Sequence, residues 1–349
     1  MSAPSQPTPP ADTQARPARV GVIGAGAWGT ALALTAARAG HDVRLWAREP
    51  EVVTTIANQH ENPLYLPGIP LPDTIAPTAE AAAMADREVV LLVTPAQAVR
   101  EVMRQFAPYL AAGTPLVICA KGIERKTGRF LDAVVREEAP DVQPFVLSGP
   151  SFARDVAQGL PAAVTLAGPD LDSARRLARL LSHRAFRLYS SDDITGVQIG
   201  GALKNVLAIA CGIVDGMGLG DSARAALVTR AFAELARFGR ALGARVETLH
   251  GLSGLGDLVL TATSGQSRNY SLGRALGQGR ALAEILGDRR AVTEGVWTAA
   301  IAVKLARQHG IDMPICESVH AIVEERSTPA EEVERLLARP LRDEPETGI

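Results

Sequence analysis

From Arg19 to about Leu188 the chain alternates short apolar runs with stretches of helical period. VGVI, DVRLW, VVLLVT, PLVICA, PFVLSG and AAVTLA each have the length of a strand, and WGTALALTAARAG between the first two repeats its apolar positions as a helix does. This alternation predicts a parallel sheet wound by helices. From about Asp192 the pattern changes to long stretches rich in Ala, Leu and Gly without strand runs. The fold class is therefore α/β, an N-terminal domain over residues 18–191 followed by an all-α C-terminal domain over 192–340. SSDDITG marks the junction, with Ser or Asp capping the next helix. The opening MSAPSQPTPPADTQARP is rich in Pro, Ser, Thr and Gln, so residues 1–17 are expected to form a disordered tail, and 341–349 a loose polar end.

Composition removes several function classes. The 349 residues carry a formal net charge of −2 and no uniformly basic tract, which argues against nucleic acid or an anionic membrane as a partner. No run reaches the roughly 18 consecutive apolar residues of a membrane span. Cys119, Cys211 and Cys316 are odd in number, far apart and without CxxC spacing, which speaks against a disulfide framework or thiolate metal site and for a reducing, cytoplasmic setting. The six histidines are scattered without HExxH pairing, so no metal centre is expected.

The first strand runs into GAGAWGTALAL, which places Gly24, Gly26 and Gly29 as GxGxxG between a strand and a helix. Gly24 permits the tight turn, Gly26 lets backbone approach a pyrophosphate, and Gly29 allows close helix packing. The first domain thus reads as a Rossmann-type dinucleotide-binding domain. Beyond the second strand an acidic residue ordinarily takes the ribose hydroxyls of NAD. Here the order is Ala47, Arg48, Glu49. Arg48 could grip a 2′-phosphate or stack on adenine, Glu49 would oppose that phosphate, and a surface ion pair between the two is the plain alternative. The cofactor is read as NADP or NAD.

Lysine usage sharpens the search for chemistry. The chain has four lysines, Lys121, Lys126, Lys204 and Lys304, and uses arginine for nearly every other positive charge. Lys204 stands in the apolar run IGGALKNVLAIACGIVDG. Arginine cannot release a proton near neutral pH, whereas a buried lysine can. Its i±4 row reads Gly196, Gly200, Lys204, Ala208, Gly212. Those small residues could leave room for a substrate, or could allow close helix packing with Lys204 reaching to solvent. Lys121 follows PLVICA, and Gly149, Ser151 and Ala153 follow PFVLSG, where ligands bind beyond strand ends. Lys126 and Lys304 have the context of solvated surface. Further on, Asp257 follows two glycines and could hold Lys204 or cap a turn. Ser267, Arg268 and Asn269 form a donor-rich patch suited to a phosphate monoester.

GAGAWGTALA, CAKGIE, SGPSFA, GGALKNVLAIACGIVDGMGLGD, GLGDLVLTATSGQSRN and VTEGVWTA, in this order from Val20 to about Ala300, resemble the bacterial-type NAD(P)-dependent glycerol-3-phosphate dehydrogenases. The resemblance implies reversible reduction of dihydroxyacetone phosphate to sn-glycerol 3-phosphate, a phospholipid precursor. It implies that Lys204 exchanges the proton and that Lys121 touches both substrate and nicotinamide. By the same resemblance Gly149 and Ser151 line the substrate, and Asp257, Ser267, Arg268 and Asn269 bind its hydroxyl and phosphate ends. For the cofactor it points to Ala27, Trp28, Arg48, Lys121, Ala153, Arg268, Val292 and Glu294. Val292 and Glu294 carry no such signal in the residues themselves, which read as a helix start. Ala27 departs from the serine of many members and Ser222 from the usual asparagine.

In the expected mechanism Lys204 gives a proton to the developing alkoxide while Lys121 and the Asn205 amide polarise that oxygen. A β-hydroxyacid or 6-phosphogluconate-type dehydrogenase is the nearest alternative, but resembles GxxxKxxxN, whereas here Asn205 follows Lys204 directly. A sugar-nucleotide dehydrogenase would need a cysteine nucleophile in a motif that Cys211 lacks. An inactive NAD(P)-sensing protein is the alternative from another class. Apolar helices in the second half are compatible with a homodimer.

Overall fold

The computed structural model describes residues 16–287 and 293–341. Ten strands occur among them: β1 (Arg19–Ile23), β2 (Asp42–Trp46), β3 (Glu61–Asn62), β4 (Leu66–Pro70), β5 (Ile75–Thr78), β6 (Val89–Leu92), β7 (Pro115–Ile118), β8 (Gln143–Ser148), β9 (Ala162–Ala167) and β10 (Phe186–Ser191). Eight form one sheet in the order β10-β9-β8-β7-β6-β1-β2-β5. Strands such as β6, VVLL, are buried along their whole length, so both faces are covered and the sequence shows a continuous apolar run rather than an alternation.

The sheet is not wholly parallel. β9 pairs antiparallel with β8, and β10 then runs parallel to β9, so one edge is reversed relative to the six strands from β8 to β5. Between β8 and β9 the chain makes a single short helix, Ala153–Ala157, instead of a full crossover. The Arg38 guanidinium caps the end of that helix by donating to the carbonyls of Val156 (2.9 Å) and Ala157 (2.5 Å). The hairpin β3–β4 and the strands β5 and β10 carry no clear apolar run, and the sequence pattern did not separate them.

The second half is built around the helix Ile194–Gly216, capped by Asp193, whose carboxylate accepts from the N–H of Gly196 at 2.8 Å. Among the described residues this helix comes nearest to a membrane span. It is long and apolar enough, with a mean hydropathy of 1.6, yet that window is entirely buried inside the protein. Its glycines correct the cavity reading. A Cβ at Gly200 would lie 2.3 Å from the Ser253 carbonyl oxygen, and one at Gly212 would lie 2.1 Å from that of Tyr270. The missing side chains let neighbouring backbone press against the helix, so the small residues of the Lys204 row serve packing, while the lysine stays inside instead of reaching to solvent.

Candidate active site

The loops that follow β6, β7 and β8 converge with the central helix and with two helices of the second half. Lys204 is only 7% exposed. Its Nζ donates to Oδ1 of Asp257 and, at 3.0 Å, to Thr261 Oγ1. Lys121, in the loop after β7, donates from Nζ to the other Asp257 oxygen at 2.6 Å and to the Gly149 carbonyl at 3.1 Å. One fully buried carboxylate thus holds two ammonium groups. Asp257 is delivered there by a π-helical turn, Leu252–Gly256, just before the helix Asp257–Thr263. Gly254 permits that turn, because a Cβ would meet the Leu249 carbonyl oxygen at 1.9 Å.

Burial pushes the Lys204 amine down to about 7; the Asp257 carboxylate opposes this, and the nearby Lys121 ammonium adds to it. An amine so placed exchanges a proton near neutrality. With every group ionised, two cations and one anion leave one net positive charge, which suits an oxygen that becomes negative.

The SRN patch lies at the start of the helix Arg268–Gly277. Buried Ser267 caps it by accepting from the N–H of Tyr270 at 3.2 Å, and the exposed Arg268 occupies its first position. Unpaired N–H groups and positive potential at such a terminus favour an anion. Asn269 faces inward, donating to Asn205 Oδ1 and accepting from the N–H of Gly295, each at 3.0 Å. The patch and the lysine helix are therefore tied through Asn205. Glu294 opens the helix Glu294–Gln308, and its Oε1 accepts from the N–H of Ala96 (3.2 Å) after β6. Its Oε2 is buried without a hydrogen-bond partner among the described residues. Burial pushes this carboxyl up, against the opposing effects of the Ala96 N–H and the Arg268 charge. Val292 lies outside the described residues.

At the opposite end Gly24 has φ +114°, and its N–H donates to the Trp46 carbonyl at 3.0 Å. A Cβ at Gly29 would sit 1.7 Å from the Gly24 carbonyl oxygen, whereas at Gly26 none of the described residues lies within 4 Å. The helix Ala27–Arg38 starts at Gly26 with no side chain capping it. Asn62, from the hairpin, steadies the turn by donating to the Ala25 carbonyl and to Thr30 Oγ1, both at 2.8 Å. An open backbone cradle at an uncapped helix start fits a dinucleotide pyrophosphate. Ala27 and half-buried Trp28 form the first turn of that helix, and Trp28 stands edge-on to Phe186. Ala153 begins the short helix after β8, next to Ser151, whose hydroxyl donates to the Gly149 carbonyl at 3.2 Å. Arg48 is exposed and ion-paired with Glu49 at 2.9 Å, so the plain alternative for this pair is present in the structure.

Sequence reasoning missed Thr261 and Ser148. Thr261 lies four residues after Asp257 on one helix face, a spacing that could have flagged it. The buried Ser148 hydroxyl, without a hydrogen-bond partner among the described residues, lies 2.6 Å from where a Gly201 Cβ would be, a juxtaposition that no local motif reveals.

Models of the NAD-dependent glycerol-3-phosphate dehydrogenase N-terminus and C-terminus match residues 19–174 and 193–334. The chain is 55% identical over 326 residues to glycerol-3-phosphate dehydrogenase [NAD(P)+] of Parvibaculum lavamentivorans, covering 93% of this chain and 98% of that one. To the enzyme of the same name from Azorhizobium caulinodans it is 56% identical, with the same coverage. The crystal structure of glycerol-3-phosphate dehydrogenase from Coxiella burnetii superposes with a TM-score of 0.88 at 41% identity, covering 93% of this chain and 99% of that one.

Proposed function

Because the chain belongs to the NAD-dependent glycerol-3-phosphate dehydrogenase family, we propose that its cleft catalyses reversible reduction of dihydroxyacetone phosphate to sn-glycerol 3-phosphate. The protein is an oxidoreductase that uses NAD or NADP. The observation that carries the chemistry is the buried Lys204, with its amine lowered to about 7 and held on a carboxylate shared with Lys121.

The nicotinamide, when bound, supplies the hydride to C2 of the ketone. Lys204 protonates the oxygen that becomes negative at that carbon, and takes the proton back in the oxidative direction. Lys121 stabilises the same oxygen as a fixed cation, and the Asn205 side chain, oriented by Asn269, faces it as a further polar group. Both Asp257 oxygens are engaged by ammonium groups, so we assign it to holding the two lysines rather than to direct contact with the substrate hydroxyl. Ser267, Arg268 and the N–H groups at the start of their helix hold the phosphate, which supplies remote binding energy to orient the ketone. Gly149 and Ser151 line the substrate. Gly24, Gly26, Ala27, Trp28, Gly29, Arg48, Ala153 and Glu294 form the cofactor side, together with Lys121 and Arg268. A product that serves as a phospholipid precursor, and three buried free cysteines, fit a cytoplasmic enzyme. The apolar second half is compatible with a homodimer. Loss of NADH or NADPH absorbance on adding dihydroxyacetone phosphate tests the activity. A folded, cofactor-binding protein that gives no such loss would favour a sensing role.

A further inference from the structure

Lys121 has no secondary structure of its own to fix it, since it lies in the loop between β7 and the helix Leu131–Glu138. That loop is nevertheless anchored beyond the lysine. Three residues on, the buried Glu124 carboxylate is gripped by both arms of Arg100, Nε to Oε1 at 2.7 Å and Nη2 to Oε2 at 2.9 Å. Arg100 sits on the helix Val99–Phe106, and also reaches Glu138 at 2.5 Å and Glu137 at 2.8 Å. From just before that helix, Gln97 donates to the Ile123 carbonyl (2.9 Å) and accepts from the N–H of Arg125 (2.8 Å). Between these anchors the fully buried Ile123 packs with Ala202 and Ile301 beside the Lys204 helix.

We infer that the Arg100–Glu124 ion pair, with Gln97, is a positioning device that holds Lys121 against Asp257. The fork is bidentate, so it fixes direction as well as distance, and its charge is matched where water is scarce. None of these three side chains touches the two ammonium groups. They act on the reaction through the placement of Lys121, and through it on how Asp257 is shared with Lys204. The inference rests on the proposed roles of Lys121 and Lys204.

The test is the pH dependence of kcat/KM for dihydroxyacetone phosphate reduction in Glu124→Gln. Arg100 keeps Glu137 and Glu138 in this variant, so the helices remain joined. A loosened Lys121 repels Lys204 less and leaves Asp257 more fully to it, which raises the proton affinity of Lys204. The alkaline limb is therefore expected to move up by about half a unit or more, with kcat lower by about ten-fold, within the loss that a displacement below an ångström produces. Gln97→Ala should move the limb the same way by less. Arg104→Ala, which meets Glu138 but not the loop, should leave it in place. A purely structural role would lower Tm and leave the limb at its wild-type position. That result, in either loop variant, overturns the inference while the functional reading stands. Wild-type protein without turnover of this substrate would sink both.

Discussion

The proposed cofactor end and the proposed proton-transfer end are built in opposite ways. At the first, one contiguous turn does nearly everything: Gly24 bends, Gly29 admits the helix and Gly26 faces open space, all within six residues. At the second, Lys121 and Asp257 are 136 positions apart, and Lys204 and Asp257 are 53 apart. The first end depends on backbone shape, which sequence spells locally. The second depends on burial and charge, which exist only once the chain has folded. Substitutions should separate the two.

The largest effect is expected from Lys204→Arg, which keeps the charge but cannot release a proton. It should lower kcat by at least about 100-fold while leaving dinucleotide affinity unchanged by fluorescence titration. Near-normal turnover would remove Lys204 from the mechanism. Asp257→Asn comes next. It strips the carboxylate that raises the proton affinity of Lys204, so the alkaline limb of kcat/KM should fall by about one unit or more. A limb that moved upward would contradict the shared-carboxylate arrangement.

At the cofactor end two glycines should part company. Gly29→Ala puts a Cβ 1.7 Å from a carbonyl oxygen, and should cost several kcal/mol of stability, in the range of about 4 or more that marks overpacking or strain. Gly26→Ala meets none of the described residues within 4 Å, so Tm should hold while KM for both dinucleotides rises by about ten-fold, roughly 1.4 kcal/mol of lost binding. Arg48→Ala is the mildest, because its side chain is 83% exposed and already paired with Glu49. A several-fold loss with NADPH, absent with NADH, would place Arg48 at a 2′-phosphate; equal losses would leave it a surface ion pair.

This contrast also explains what could be read from the sequence. The GxGxxG turn and the buried strands announced themselves through local spacing and continuous apolar runs. β9 looked like its parallel neighbours because an apolar run has no direction, and only the short connection after Ser148 turns it round. Lys204 stood out because lysine is scarce and its surroundings apolar. Its glycine neighbours misled, since small residues signal close approach without saying whether ligand or backbone fills the space, and here backbone does. Thr261 was marked only by its spacing from Asp257, and the Gln97–Arg100–Glu124 anchors gave no signal, because their meaning lies in partners that the fold supplies.

The proposed chemistry depends on a lysine amine brought near neutrality by burial between a carboxylate and a second cation. The most direct test is kcat/KM against pH in both directions, since this ratio reports the free-enzyme group. Reduction needs the protonated amine and should decline as pH rises through about 7, and oxidation should rise through the same region. Both limbs should vanish in Lys204→Arg. Rates that stay flat until pH approaches that of an ordinary lysine, about 10, would contradict it.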